Sequence, residues 1–377
     1  MRPTPRSALA ALALVAATAG LAACGSSSND KSSSSTTSSK AASSGGGKGG
    51  TIALLLPETK TTRYELHDRP TFEAKVRQLC PSCKIDYANA NQDPARQQQQ
   101  AEAALTNGAK VLVLDAVDAK AAVAIVNRAK QSNVPVIAYD RLITGAPIDY
   151  YVSFDNVKVG KLQAQTLIDK IGAAGKAKSV VMLNGSPTDP SSGDYKKGAH
   201  SVLDGAGVKI GKEYDTPDWS PDKAQREMEQ AITALGKDKI AGVYSANDGM
   251  AGGAIAAMRG NGIDPKTLPT TGQDSEVAAI QRILSGDQYM TIYLAIKKQA
   301  ETSAELAVDL LQGKQPPAGL VNAKVDNQAG QIASVLLAPI AVTKDNIKDT
   351  IIKDNFLKAS EICTAKYASA CSAAGVQ

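Results

Sequence analysis

The sequence predicts an α/β fold of two doubly wound, parallel-sheet lobes, and three observations predict it. Short runs rich in Val, Ile and Leu alternate with helical stretches from Thr51 onward, as parallel strands covered by helices on both faces require. The same rhythm restarts after Asp155, and 377 residues exceed what one domain of roughly 150 would use. Two late apolar runs, at Gln288 and Val335, come after both series, so each must return to complete an earlier sheet. The expected division is a first lobe of residues 48–154 and 289–320 and a second of residues 155–288 and 321–377.

Ahead of the lobes, residues 1–23 have the layout of a secretory signal peptide: Arg2 and Arg6, an apolar run from Ala8 to Ala19, then Gly20-Leu21-Ala22-Ala23. That run falls short of the ~20 apolar residues that span a bilayer as a helix. The ending Leu21-Ala22-Ala23-Cys24 resembles a bacterial lipobox, which implies cleavage before Cys24 and diacylglycerol on its sulfur. The rival reading is an ordinary signal peptide with an incidental cysteine. Residues 24–50 are almost entirely Ser, Gly, Thr, Lys and Ala, and cannot bury enough to offset their ordering entropy. They read as a flexible leash that holds a folded body at the outer face of the cell membrane.

In the body, strands are expected at TIALLL (Thr51), KIDYANA (Lys84), KVLVLDA (Lys110) and VPVIAYD (Val134). Asp93-Pro94 supplies an N-cap and an N1 proline for one intervening helix, and Gly108 closes it. Asp118 caps the next. The second series has strand-like runs at Ser179, Ile240 and Thr270, then QYMTIYL at Gln288, a helix from about Lys297 to Gly313, and VLLAPIAVT at Val335. If Cys24 carries lipid, Cys80, Cys83, Cys363 and Cys371 remain for disulfides. Proximity favours Cys80–Cys83 and Cys363–Cys371. A redox role for Cys80-Pro81-Ser82-Cys83 is disfavoured, because the pair follows an apparent helix instead of opening one.

Composition excludes several functions. Lys and Arg total 42 against 37 acids, a net +5 that is too even for an electrostatic nucleic-acid binder. Only His67 and His200 are present, which removes most zinc-hydrolase and Ser-His-Asp schemes. No Walker loop, GxGxxG fingerprint or GxSxG elbow occurs, so neither a cofactor nor a metal is expected.

Ligands of open α/β sheets bind beyond the carboxyl ends of the strands. Those positions hold Thr61-Thr62-Arg63-Tyr64, Asp140-Arg141, Asp189, Asn247-Asp248 and Asp274, and Trp219 lies in a loop of the second series. Carboxylates, guanidinium and amide with one flat aromatic suit a neutral polyhydroxylated ligand. Each hydroxyl can donate to Asp and accept from Arg or Asn, while an indole covers apolar C–H surface. Asp115 and Asp118 read as caps or surface charges, Asp248 as a cap, and Asn247 as a pocket residue.

The segments VPVIAYDRLI, IDYYVSFDNVKVGKLQA, SANDGMAGGAIAAM and TGQDSEVAAIQRILSGDQYMTIY closely resemble the type I periplasmic binding proteins of bacterial sugar ABC transporters, of the ribose, galactose and arabinose type, and their xylose-binding members in particular. The likeness runs from about Thr51 to Asn355. It implies two similar α/β lobes joined by three crossing strands, with a monosaccharide between them. By position, it implies sugar contacts from Arg63, Asp140, Arg141, Asp189, Trp219, Asn247 and Asp274. Tyr64 stands where relatives usually have Trp. Ser191 replaces an amide of the xylose binder, and Leu294 replaces a lysine common after the crossing strand.

The expected protein is therefore a monomeric, lipid-anchored receptor, not an enzyme, that delivers a neutral aldose to an ABC permease. D-xylose is the first candidate, and glucose, galactose or ribose the alternatives. An extracytoplasmic glycosidase is disfavoured by Arg141, since a guanidinium beside Asp140 lowers the pKa that a catalytic acid needs raised. A sugar-responsive repressor is disfavoured by the leader and the absence of an N-terminal helix-turn-helix. A receptor that signals to a membrane sensor stays open.

Overall fold

The computed structural model describes residues 49–175 and 177–376. The leader, Cys24 and nearly all of the leash lie outside the described residues. The body opens with β1 (Thr51–Leu56), α1 (Arg69–Leu79), β2 (Lys84–Asn89), α2 (Pro94–Thr106), β3 (Ala109–Leu114), α3 (Ala122–Gln131), β4 (Val136–Tyr139) and β5 (Tyr150–Phe154). The caps read from sequence form: Asp93 accepts from the N–H groups of Ala95 and Arg96 ahead of α2. Asp118 does the same for Lys120 and Ala121 ahead of α3. Successive residues of β1 point to opposite faces. Ile52, Leu54 and Leu56 join one buried cluster, and Ala53 and Leu55 join another, so both faces are covered.

The second series is α4 (Asn156–Gly175), β6 (Ser179–Asn184), α5 (Pro190–Leu203), β7 (Lys209–Asp215), α6 (Pro221–Leu235), β8 (Ile240–Ser245), α7 (Asp248–Gly260) and α8 (Val277–Ser285). It continues through β9 (Met290–Tyr293), α9 (Ile296–Gln312), β10 (Ala323–Asp326), β11 (Gln331–Leu337) and β12 (Ile340–Thr343). The first sheet has the order β10-β11-β5-β4-β3-β1-β2, parallel except for β10. The second has the order β7-β6-β8, and β9 pairs antiparallel with β12. The irregular segment Thr270–Asp274 links these two pieces. Thr270 bridges Val243, and the N–H groups of Ile292 and Asp274 bond to Gly272 O and Ile292 O respectively.

Three connections cross between the sheets: β5 to α4, β9 to α9, and β11 to β12. The strand pairing divides the late segment differently from the sequence reading. Met290–Tyr293, placed in the first lobe from sequence, pairs within the second, and β10 and β11, placed in the second, extend the first sheet beyond β5. An apolar run does not state which of two equivalent sheets it will join. The sequence reading also did not name the short inner strand β5, and it missed β7 and β10. β7 and β10 are edge strands with half-exposed side chains, so neither carries the continuous apolar run of a central strand. Cys80 bonds to Cys83 after α1, and Cys363 to Cys371 in the tail.

Candidate ligand-binding site

All the strand ends named in the sequence reading converge on one cavity of about 280 Å³ between the lobes. Arg63, Tyr64, Asp140 and Arg141 line it from the first lobe, and Asp189, Trp219, Asn247 and Asp274 from the second. Thr61, named with the first strand end, also lines it, and Tyr195 and Gln273, which sequence reasoning did not single out, complete the lining. Gln273 adjoins Asp274 in the same strand-end segment, a signal that could have found it. Tyr195 sits one helical turn into α5 and had no such marker.

Arg63 is the hub. Its Nε and one terminal nitrogen bind Asp68 at 3.0 and 2.8 Å, and it donates to Gln299 Oε1 on α9 at 2.5 Å. Its other terminal nitrogen faces Asp140 at 3.3 Å and Asp274 at 3.7 Å. One buried guanidinium thus spans carboxylates of both lobes. Asp140 also accepts from Tyr64 Oη (3.0 Å) and Gln299 Nε2 (3.0 Å). Burial pushes its carboxyl up, but Arg63, Gln299, Arg141 and Tyr64 together hold it below the ordinary carboxylate range. That direction is opposite to what a catalytic acid requires. Asp274 has weaker partners, Gln273 Nε2 at 3.4 Å and the distant Arg63. Burial pushes its carboxyl up to about 7, with Arg63 opposing and Glu276 and Asp140 adding to the rise.

On the other flank, Asp189 caps α5 by accepting from Ser191 N–H at 2.8 Å, and accepts from Trp219 Nε1 at 3.2 Å. Its Oδ2 lies 3.2 Å from Arg141 Nε, across the cleft. Ser191 therefore contributes its backbone to the cap. Trp219 packs edge-on against Tyr195, with ring centroids 6.3 Å apart. A Cβ on Gly185 would lie 2.0 Å from the indole, so glycine is what admits the ring. Three lining residues, Asp140, Trp219 and Asp274, have positive φ (61°, 53° and 92°). Strained backbone of this kind persists where surrounding structure over-determines it.

The structure moves one cap. Asn247 is the N-cap of α7, its Oδ1 accepting from Met250 N–H at 2.9 Å, and it still lines the cavity. Asp248, expected to cap, is fully buried and accepts from Gln288, Thr291 and the Glu276 N–H. Both sit at the helix start, and backbone dihedrals decide which one caps. Asp115 is not a surface charge either: it is completely buried behind Arg141. Leu294 is absent from the lining and lies wholly within the second-lobe core. Leu294→Lys should therefore lower the unfolding free energy by about 2–3 kcal/mol, by burying a polar amine without a partner. It should leave sugar selectivity unchanged, as a denaturation curve and a calorimetric comparison would show.

The lobes touch around the cavity. Ala119 N–H bonds to Thr188 O at 3.2 Å, Thr188 Oγ1 to Val117 O at 3.2 Å, and Gln92 Nε2 to Asp218 O at 3.2 Å. These polar contacts, together with the His67 ring packed on Phe356 of the second lobe at 4.4 Å between centroids, hold the two sides of the cavity together. Among the described residues, no cluster of His, Cys, Asp or Glu is placed to hold a metal ion.

A family model described as a periplasmic binding protein domain matches residues 52–315. The chain is 37% identical over 315 residues to the D-xylose-binding periplasmic protein of Escherichia coli, covering 82% of this chain and 92% of that protein. It is 31% identical over 331 residues to the multiple sugar-binding periplasmic receptor ChvE of Rhizobium radiobacter, covering 83% and 92%. Among solved structures, it resembles a carbohydrate transporter solute-binding protein from Chloroflexus aurantiacus in complex with D-glucose. The TM-score is 0.74, with 26% identity over 82% of this chain and 97% of that one. With the two-lobed topology and the inter-lobe cavity, these matches establish that the chain belongs to the periplasmic binding protein family and has its type I fold.

Proposed function

We propose that the protein is an extracytoplasmic receptor that closes on a neutral monosaccharide, with D-xylose the first candidate, and delivers it as a monomer to an ABC permease. The observation that carries this reading is the cavity's donor set. Asp140 and Asp274 accept from hydroxyls, Arg63, Arg141 and the Asn247 amide donate to them, and Trp219 covers an apolar face. Gln273 Oε1 is buried in this lining without a hydrogen-bond partner, an acceptor left for a ligand hydroxyl. Two guanidiniums face at least as many carboxylates, so an anionic sugar would bring an uncompensated charge into a dry cleft. The named relatives support a sugar ligand: one is a xylose-binding protein and another a multiple-sugar receptor.

Isothermal calorimetry with D-xylose, D-glucose, D-ribose and D-glucuronate tests the reading. Xylose is expected to bind tightest and glucuronate not at all. Tightest binding of glucuronate would sink the neutral-sugar claim, and a preference for ribose or glucose would sink the xylose assignment. Anchoring through Cys24 is tested separately. Cys24→Ser should release the protein from membranes with its sugar affinity intact, and retention through a carbonate wash would refute the lipid anchor.

A further inference from the structure

Arg141 is held from its own lobe at both terminal nitrogens, which donate to Ala116 O at 3.2 Å and Tyr64 Oη at 3.4 Å. Its Nε edge is shared. Asp189 Oδ2 of the second lobe lies 3.2 Å away and Asp115 Oδ1 of the first lobe 3.5 Å away. Neither approach has hydrogen-bond geometry: Arg141 Nε has no partner, and neither do the two carboxylate oxygens of Asp115. Asp115 has 0% exposure, so bulk solvent does not reach it. A buried carboxylate with both oxygens unmade, next to a cation leaning toward a second carboxylate, is poorly satisfied in this arrangement of the lobes.

The alternative arrangement is evident from where the two acids sit. Asp115 follows β3 on the same lobe as Arg141, whereas Asp189 caps a helix of the other lobe. Separating the lobes removes Asp189 and leaves Asp115 as the carboxylate within reach of the Nε edge. We propose that Asp115 is a positioning residue that competes with Asp189 for Arg141, and so biases the unliganded receptor toward the open form. The inference rests on the receptor reading above, because it assigns Asp115 a role in lobe closure and not in contact with sugar. The upward push that burial gives the Asp115 carboxyl, with Arg141 opposing, has the sign expected of a charge held better elsewhere. A receptor whose binding-competent form is only partly populated shows an affinity reduced by that fraction. Removing the open-state partner should then tighten binding.

The test is Asp115→Asn, which keeps shape and removes the charge, with Asp115→Ser as a second uncharged variant in case the first does not fold. Lobe separation is read by small-angle scattering without sugar, and D-xylose affinity by calorimetry. Expected are a more compact unliganded form and a Kd lowered about three- to tenfold, with slower sugar release. A merely structural role would instead weaken binding or leave both readouts unmoved, and either result overturns the proposal. If the wild type binds no sugar of the panel, the receptor reading fails. The scattering comparison still decides the role of Asp115, since it needs no ligand.

Discussion

Arg63→Met is expected to lower the unfolding free energy by about 3–5 kcal/mol, the cost of leaving buried carboxylates without their cation. Asp68 would keep only the Tyr139 hydroxyl, and Asp140 and Asp274 would face each other with no guanidinium between them. The same substitution should remove measurable sugar binding, because Arg63 supports the Asp140 carboxylate and presents the remaining N–H to the cavity. Methionine preserves the apolar stem, so packing loss is small and the charge is what the experiment reads. Chemical denaturation with and without sugar separates the two effects. A variant as stable as wild type would show that Arg63 is peripheral to the network.

Asp274→Asn is expected to weaken sugar affinity by about 2–4 kcal/mol while leaving unliganded stability near wild type or above it, since its folded-state partners are weak. The pH dependence is the sharper signature. Burial pushes the Asp274 carboxyl up to about 7 in the folded protein, against roughly 3.9 for an unfolded chain. Between those values the folded state holds the extra proton. The group's contribution to stability is thus fully present below about pH 4 and lost as pH rises through about 7. A sugar hydroxyl that donates to the ionised carboxylate reverses the preference. Binding then releases a proton, and affinity should rise from pH 5.5 to pH 8. Buried Asp115, Asp189 and Asp248 are also shifted upward, so the contrast between wild type and variant isolates the Asp274 share. Equal pH slopes in the two proteins would exclude Asp274 as the titrating contact.

The alternation of apolar runs and capped helices was legible in the sequence, because buried central strands and N-caps write themselves into consecutive residues. So was the ring of polar residues around the cavity: in an α/β sheet, the residue after a buried strand necessarily emerges at the ligand-binding edge. Asp140, Asp189 and Asp274 needed no coordinates to be singled out. Tertiary structure alone decided what depends on contacts distant in sequence. It assigned β9 to the second sheet and β11 to the first, since hydrogen-bond edges, not hydropathy, select between two similar sheets. It brought Gln299 to Arg63 across 236 positions and turned Leu294 into the core, choices that no local pattern encodes. It also placed a fully buried Asp115 behind Arg141, where strand-end position alone had suggested an ordinary cap. A carboxylate's role follows from which charges surround it and how much water it keeps, and those are properties of the packed lobes.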